Sequence, residues 1–511
     1  MVKIKYYFLL SFVALALGFG NAQPPLPPTH NIKTFNRSNF PPDFVFGSAS
    51  SSYQNEGAAN EGGKGPSIWD TYTKNHPERI DDHSDGIIAT DSYHRYKEDV
   101  RMLKQSGFEA YRFSISWPRL IPRGKRSLGV NEEGIRFYNN LINELQENGL
   151  EPYVTLFHWD LPQALEDEYG GLLSSQFVND YRDFADLCFS RFGDRVKHWI
   201  TFNEPWSYAV GGYASGFLAP GRCSAWQNLN CTGGNSSTEP YIVAHNMLVA
   251  HGVAVQLYRN KYQESQKGKI GITLVTRWIL PYSNETHNRD AARRALDFNF
   301  GWFMHPITYG KYPDCMYTLV KERLPSFSEE ETKMLRGSFD FIGLNYYTAN
   351  YARHYPNQPN SHSSYERDSE ADLTPERNGI PIGKKGPSGW LYVYPRGIRD
   401  LLVYIKRNYT SLPIYITENG VDELNNSTLK AQDALNDSMR VDFYFNHLLH
   451  VNRAIQEGVN VKGYFAWALM DNFEWKSGYS IRFGINYVDY KDGLKRYPKL
   501  SAKWFSNFLR K

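Results

Sequence analysis

Two patterns of hydrophobic residues alternate along the chain. Short runs dense in apolar and β-branched residues, typical of buried strands, recur eight times between longer stretches with helix-like apolar spacings of three and four. These strands are too apolar to be half exposed, so we expect a parallel sheet covered by helices, and eight such strands predict a closed (β/α)8 barrel, the TIM barrel. The predicted strands are Phe44–Tyr53, Ala110–Trp117, Tyr153–His158, Trp199–Asn203, Lys269–Thr276, Phe339–Thr348, Ile414–Thr417 and Val461–Leu469.

Long insertions are expected in the loops that follow the strands. The largest are Thr71–Ile87, Ala209–Pro240 and Ala349–Trp390. The last is polar between His354 and Pro387, so we expect a mobile rim that adds little to the core. Because the active site of such a barrel lies in the loops after the strands, residues at strand ends are the candidates for chemistry.

The N-terminus has the features of a secretory signal. Lys3 and Lys5 precede an apolar run over residues 6–19, and Gly20-Asn21-Ala22 supplies the small residues of a cleavage site. We predict a signal peptide over residues 1–22 and a single barrel domain over residues 23–511. The apolar run is short for a bilayer span, so no membrane anchor is expected after cleavage. These features predict the secretory pathway, with an extracellular or vacuolar destination.

The cysteines and glycosylation sequences fit an oxidising compartment. Cys223 and Cys231 lie in one loop rich in Gly, Asn and Ser, and we predict that they form a disulfide. Cys188 and Cys315 are expected to be buried free thiols. Some of the Asn-x-Ser/Thr sequences should carry glycans and be exposed. They begin at Asn36, Asn230, Asn235, Asn284, Asn408, Asn425, Asn426 and Asn436.

Composition excludes several functional classes. The 57 basic and 54 acidic residues give a net charge of only +3, so no nucleic-acid partner is expected. Hydrophobic residues make up 41% and charged residues 22%, as in a soluble globular protein.

Residues 81–86 resemble the start of a calcium-binding loop, but Ser92 replaces the acid at its twelfth position. His245 and His251 are six apart, not four as in a helical zinc pair. Neither a metal nor a cofactor is therefore predicted.

Two glutamates end strands in similar settings. Glu204 closes the fourth strand in Thr-Phe-Asn-Glu-Pro, and Glu418 closes the seventh in Ile-Thr-Glu-Asn-Gly. The fourth and seventh strands are expected to face each other across the barrel, so both carboxyls can point into one mouth. A glutamate alone is often an ion-pair partner or lies beside a helix cap. A pair favours glycoside hydrolysis, in which one carboxyl protonates the leaving oxygen and the other attacks or activates water.

The two motifs resemble the signatures of the glycoside hydrolase family 1 β-glucosidases. The resemblance runs from about Phe40 to the C-terminus and is to the plant members in particular. It implies a retaining β-glucosidase that acts on small-molecule glucosides, with Glu204 as acid/base and Glu418 as nucleophile. Plant thioglucosidases of this family typically have Gln at the position of Glu204, so Glu here favours cleavage of O-glycosides.

The resemblance also implies the residues around the two carboxyls. Arg112 and Tyr347 should lie beside Glu418, where a cation and a phenol donor lower the pKa of a carboxyl. Trp467 should stack on the sugar, Phe483 should line the far end of the pocket, and Trp390 should form the aglycone platform. The other sugar-binding residues that it implies, besides Tyr347, are Gln54, His158, Asn203, Glu474 and Trp475.

Several alternatives remain open at this point. A relative specific for a β-galactoside, a β-mannoside or a disaccharide glycoside, or a transglucosidase, would carry the same two motifs. A catalytically silent sugar-binding barrel is disfavoured because both glutamates, Arg112 and Tyr347 are present. The sequence leaves the aglycone open among cyanogenic, phenolic, terpenoid and hormone glucosides and short oligosaccharides, and it predicts no oligomeric state.

Overall fold

The computed structural model describes residues 34–358 and 361–510. The predicted signal peptide, residues 1–22, lies outside this part of the chain. The strands of the described residues are β1 Val45–Ala49, β2 Ala110–Ser114, β3 Glu151–Phe157, β4 His198–Asn203, β5 Lys269–Val275, β6 Trp278–Pro281, β7 Phe341–Asn345, β8 Ala349–His354, β9 Ala371–Thr374, β10 Glu376–Arg377, β11 Ile380–Pro381, β12 Lys384–Lys385, β13 Tyr392–Val393, β14 Ile414–Asn419, β15 Glu423–Leu424, β16 Val461–Trp467, β17 Ile481–Arg482, β18 Asn486–Asp489 and β19 Lys495–Pro498.

Eight parallel strands close the predicted barrel. Their order around it is β1-β16-β14-β7-β5-β4-β3-β2, which closes on itself. All eight predicted strands are present, and the TIM-barrel prediction is confirmed. The first, second and sixth are shorter than predicted, because the chain stays buried beyond the strand ends but no longer pairs in the sheet. β4 and β14 are not diametrically opposed as expected, since only β5 and β7 separate them along the shorter arc.

Helices connect and cover the strands. They are α1 Ser52–Asn55, α2 Ile68–Asn75, α3 Ser92–Gln105, α4 Trp117–Leu120, α5 Glu132–Glu147, α6 Gln163–Tyr169, α7 Gln176–Phe192, α8 Pro205–Tyr213, α9 Glu239–Lys261, α10 Gln263–Gln266, α11 Thr286–Leu296, α12 Trp302–Tyr309, α13 Asp314–Val320, α14 Glu329–Leu335, α15 Tyr365–Asp368, α16 Arg396–Asn408, α17 Ala431–Ala434, α18 Ser438–Gln456 and α19 Leu500–Phe508. Among these described helices, none has the length and apolar character needed to cross a membrane.

Helix α5 illustrates how sequence produces one layer of the fold. The Asn131 side chain caps its start by accepting a hydrogen bond from the Glu133 backbone N–H. Gly149, with a φ of 69°, allows the chain to reverse into β3 after the helix. The apolar residues, spaced mainly three and four apart, turn one face toward the barrel. The buried apolar side chains are Ile135, Phe137, Tyr138, Leu141, Ile142 and Leu145.

An aromatic layer fills the barrel interior near the amino ends of β4, β7 and β14. The rings of Tyr153 and His198 stack with centroids 4.2 Å apart. Phe465 lies 4.8 Å from Tyr153, and Tyr415 lies 5.5 Å from it. This packing gives the barrel a solid floor, so a polar pocket is possible only at the carboxyl ends of the strands.

The insertion over residues 349–390 packs more extensively than expected. Its strand β8 pairs in parallel with β6 and antiparallel with β9. Tyr365 is buried and stacks 5.1 Å from Trp302, and Asp368 forms a 2.7 Å ion pair with Arg323. The expectation that this insertion adds little to the core is wrong for its middle part, because single aromatic and charged residues anchor an otherwise polar segment.

The cysteine predictions are largely confirmed. Cys223 and Cys231 form a disulfide in the insertion that follows α8. Cys188 is a buried free thiol, whereas Cys315 is free but only partly buried. Six of the eight predicted glycosylation asparagines are exposed, and Asn36 and Asn425 are half-buried. Their modification stays a prediction.

A buried ion pair ties the turn after β1 to the helix after β2. Arg119 Nε donates to Glu56 Oε2 at 2.8 Å, and Tyr138 donates its hydroxyl hydrogen to the other oxygen of Glu56. The Arg119 side chain is fully buried and its guanidinium also lies 4.4 Å from the Tyr93 ring centroid. The pair therefore holds the wall of the barrel mouth together away from solvent.

We expect Arg119→Ala to lower the free energy of unfolding by about 3–5 kcal/mol, because it leaves the buried Glu56 carboxylate without its cation. Urea denaturation followed by circular dichroism measures the change. Lys462→Ala is the control, since it removes a more exposed ion pair with Asp43 and should change stability little. Equal effects of the two substitutions would contradict this account.

Candidate active site

The two predicted carboxyls lie at the carboxyl ends of barrel strands. Glu204 directly follows β4 and starts α8 in a left-handed conformation, with a φ of 45°. Its backbone N–H donates to the Thr273 carbonyl at 3.0 Å, which ties it to the neighbouring strand. Glu418 is part of β14 and is in register with Asn345 of β7. A left-handed glutamate persists only where its surroundings hold it, as at many functional sites.

Both predicted neighbours contact Glu418. Arg112, at the middle of β2, donates from Nη1 to Glu418 Oε1 at 2.5 Å. The Tyr347 hydroxyl donates to Glu418 Oε2 at 2.6 Å. Glu418 and Arg112 are buried, at 3% and 0% exposure. The two donors therefore fix both oxygens and compensate the negative charge of the carboxylate away from bulk water.

Glu204 has different surroundings and a different tendency to ionise. Asn345 Nδ2 donates to its Oε1 at 2.6 Å, and Ser207 Oγ donates to its Oε2 at 2.7 Å. Burial, followed by the negative charge of Glu418, raises the pKa of Glu204 to about 7. The hydrogen bonds from Ser207 and Asn345 act in the opposite direction. One carboxyl is thus paired with a cation while the other retains its proton up to near neutral pH.

One amide oxygen links the two halves of the site. Asn203 Oδ1 accepts from Arg112 Nη2 at 2.6 Å and from Asn345 Nδ2 at 3.1 Å. Arg112 is bound to Glu418 and Asn345 is bound to Glu204, so the Asn203 side chain sets the position of one carboxyl relative to the other. Asn345 and Ser207 were not predicted. The signals for them are the polar end of β7 and the first turn after Glu204.

His158 presents an unpaired donor at the site. Because the donation from Arg112 fixes the amide orientation of Asn203, its Nδ2 faces His158 Nε2 at 2.9 Å and donates to it. Burial lowers the pKa of His158 well below its usual value, so the ring is neutral and carries its proton on Nδ1. That atom is buried and has no hydrogen-bond partner among the described residues. It is available to a polar ligand.

Gln54 and Glu474 form a second polar group on another part of the mouth. Gln54 Nε2 donates to the Phe473 carbonyl at 2.8 Å and lies 3.4 Å from Glu474 Oε2. Burial and the charge of Glu418 raise the pKa of Glu474 well above its usual value. Glu474 Oε1 is buried without a partner among residues 34–358 and 361–510. Buried polar atoms left unpaired are costly, and hydroxyl groups of a ligand would satisfy them.

Aromatic rings line the site. Trp467 is 4% exposed, and its ring lies nearly parallel to that of His158 at 6.1 Å. Phe483 is buried with its centroid 6.0 Å from that of Tyr347. Trp390 lies 5.7 Å from Tyr347 but is 45% exposed, so it stands at the outer edge of the site. Flat apolar walls beside convergent polar groups suit a sugar ring.

Trp475 packs among aromatic rings beside the predicted polar residues. Its ring lies 4.6 Å from Trp159 and 4.7 Å from Trp69, and 5.9 Å from His158. Trp159, which was not predicted, donates its Nε1 hydrogen to the Asn203 carbonyl at 2.9 Å. Trp475 follows Glu474 directly in sequence, so it places the Gln54–Glu474 group at the same end of the barrel as His158.

Comparison with known proteins assigns the family. The sequence pattern of glycosyl hydrolase family 1 matches residues 36–511. Beta-glucosidase 24 from Oryza sativa subsp. japonica is 62% identical over 473 residues, which cover 93% of this chain and 94% of the relative. Beta-glucosidase 13 from Arabidopsis thaliana is 53% identical over 509 residues, which cover 99% of each chain.

A solved structure has the same fold. The crystal structure of the rice beta-glucosidase Os3BGlu6 is 48% identical to this chain and superimposes with a TM-score of 0.92, covering 93% of this chain and 100% of that one. The resemblance inferred from the two glutamate motifs is therefore confirmed over nearly the whole sequence. The chain belongs to glycosyl hydrolase family 1.

Proposed function

We propose that this protein is a retaining β-glucosidase that hydrolyses the O-glycosidic bond of small β-D-glucosides. The observation that carries the proposal is the asymmetry of the two carboxyls. Glu418 has a cation and a phenol on its oxygens, while Glu204 has a pKa of about 7. A retaining enzyme needs one carboxylate that attacks and one carboxylic acid that protonates. The relatives named as beta-glucosidases support glucose as the sugar.

In the first step Glu418 acts as nucleophile and Glu204 as acid. A Glu418 carboxylate oxygen forms a bond to the anomeric carbon as the glycosidic C–O bond breaks. Glu204 gives its proton to the departing oxygen, so the aglycone leaves as a neutral alcohol or phenol. Glu418 becomes an ester. Arg112 and Tyr347 stabilise its carboxylate form before this step and again after the ester is hydrolysed.

In the second step Glu204 acts as base. Once Glu418 is an ester, the negative charge that raised the pKa of Glu204 is gone, and the carboxyl ionises more readily. It takes a proton from water, whose oxygen attacks the anomeric carbon and releases Glu418 as a carboxylate. Two inversions leave glucose in the β configuration.

The unpaired buried atoms supply sugar recognition. His158 Nδ1 is a donor, Glu474 Oε1 has no partner within the described part of the chain, and Gln54 lies beside Glu474. We assign these groups to the hydroxyls of the glucose, together with Asn203, Tyr347 and Trp475. The Trp467 ring takes the apolar face of the sugar, Phe483 closes the pocket, and the exposed Trp390 takes the aglycone.

For the location of the protein we propose the secretory pathway, ending in the apoplast or the vacuole. The predicted signal peptide over residues 1–22 supports it. The disulfide between Cys223 and Cys231 also fits an oxidising compartment. Expression of the full chain in plant cells with a C-terminal fluorescent protein tests this proposal, and retention in the cytosol would contradict it.

Initial rates with neutral p-nitrophenyl glycosides test the central activity. The purified chain should cleave the β-D-glucoside in preference to the β-D-galactoside and β-D-mannoside. Added alcohol distinguishes hydrolysis from transfer, because a transglucosidase would form alkyl glucoside as the main product. Absence of turnover on all three sugars would favour a binding protein and overturn the proposal.

The hydrogen bond from Ser207 should set the upper pH limit of activity. Glu204 must be protonated in the first step, so kcat/KM should fall as the pH rises through about 7. Ser207→Ala removes a donor that lowers the pKa of Glu204, so the fall should move to higher pH. Ser207→Thr keeps the hydroxyl and should stay near the parent profile. A shift to lower pH in Ser207→Ala would contradict this assignment.

Substitution of each carboxyl should separate the two roles. Glu204→Ala should lose roughly 10²–10⁴-fold in rate on a phenyl glucoside but far less on a dinitrophenyl glucoside, whose leaving group needs little protonation. Added azide should then attack the waiting glycosyl-enzyme and give the β-glucosyl azide, identified by NMR.

The matched variant Glu418→Ala lacks the nucleophile, so a better leaving group should not restore its activity. Azide should enter from the opposite face and give the α-glucosyl azide. The reverse configurations from the two variants would mean that the roles are exchanged. Unchanged activity in either variant would remove the residue from the active site.

A further inference from the structure

Arg277 is a cation at the mouth of the barrel. It lies two residues beyond the end of β5 and directly before β6. Its Nη1 donates to Asn350 Oδ1 at 3.1 Å, and its guanidinium carbon lies 5.9 Å from the Trp206 ring centroid. Among residues 34–358 and 361–510, no Asp or Glu forms an ion pair with it. A half-buried charge thus lies among neutral neighbours.

An uncompensated cation in this position is costly and calls for an anion. Burial lowers the pKa of Arg277, and the Tyr365 hydroxyl is the group that opposes this effect. Arginine keeps its charge even so, so the desolvation cost remains unless an anion pairs with it. The catalytic carboxyls do not supply this anion. Arg112 is the cation that forms an ion pair with Glu418 and lowers the pKa of Glu204.

The neighbours of Arg277 place it on the leaving-group side of the site. Trp206 is the second residue after Glu204, and the acid must lie next to the glycosidic oxygen. Asn350 is in β8, three residues after Tyr347. The sugar-binding group of Gln54 and Glu474 comes from other elements and makes no hydrogen bond to Arg277. Arg277 thus contacts residues that follow the acid Glu204 and Tyr347 closely in sequence, and not the Gln54–Glu474 group.

We propose that Arg277 binds a carboxylate of the aglycone, so that the preferred substrates are β-glucosides of aromatic hydroxy acids. This inference rests on the proposed β-glucosidase function. The planar guanidinium matches a carboxylate with two parallel hydrogen bonds, and the Trp206 face provides a surface for the aromatic ring. The acid would supply the counter-charge that the described part of the chain lacks at this position.

Pairs of substrates test the inference without knowledge of the natural one. The probes are the ortho-, meta- and para-carboxyphenyl β-D-glucosides, each with its methyl ester. The ratio of kcat/KM for acid over ester is measured in the parent enzyme and in Arg277→Gln. Dividing one ratio by the other cancels the difference in leaving-group chemistry. For at least one isomer we expect Arg277→Gln to lower the ratio by roughly 10–100-fold, the range of a charge-assisted hydrogen bond.

Two further variants make the result specific. Arg353→Gln removes one positive charge from the same strand as Asn350, but this arginine is exposed and paired with Asp372. Arg353→Gln should leave the ratio unchanged, because only an arginine that contacts the carboxylate of the aglycone should affect it. Arg277→Met keeps an apolar stem against Trp206 and should show the same loss as Arg277→Gln. Turnover of the neutral esters by each variant shows that it is folded.

The possible outcomes are distinct. An acid-to-ester ratio that is equal in the parent and both Arg277 variants for all three isomers would overturn the inference. An equal loss in Arg353→Gln would also overturn it, since the effect would then come from net charge. Failure of the parent enzyme to cleave even the neutral esters and p-nitrophenyl β-D-glucoside would contradict the proposed function instead.

Discussion

The site depends on one fully buried guanidinium. Arg112 lies inside the barrel at 0% exposure and donates both to Glu418 and to Asn203. A buried carboxylate without such a partner would be costly and would tend to protonate. The second bond orders Asn203, whose amide in turn orients His158 and Asn345. Charge compensation and the geometry of both carboxyls thus come from the same side chain.

The closed barrel is what makes this arrangement possible. Arg112 and Glu418 are 306 residues apart in sequence, and Gln54 and Glu474 are 420 apart. Parallel strands that close into a barrel bring all their carboxyl ends to one mouth. Residues that are far apart in sequence therefore meet there. The aromatic floor formed by Tyr153 and its neighbours fills the barrel interior below the site, so the polar groups lie at the carboxyl ends of the strands.

The features that follow from local pattern could be predicted from the sequence. Eight apolar strands, two strand-end glutamates and the Cys223–Cys231 bridge each carry a signal within a short segment. The strand ends were overestimated, because the chain stays buried after it leaves the sheet, as in α1 Ser52–Asn55. Asn345 and Ser207 were missed because their role depends on side-chain direction in the folded barrel. The packing of Tyr365 was missed because one aromatic residue in a polar segment gives no periodic signal.

Covalent trapping tests the central claim, that Glu418 is the nucleophile and Glu204 is not. A 2-deoxy-2-fluoro-β-D-glucoside with a dinitrophenyl leaving group forms the glycosyl-enzyme quickly, but the fluorine slows its hydrolysis. Peptide mass spectrometry then identifies the labelled residue. The account predicts one fluoroglucosyl group per chain, on Glu418, and none in Glu418→Ala. A label on Glu204 or any other residue, or β-glucosidase turnover without a trapped intermediate, would contradict it.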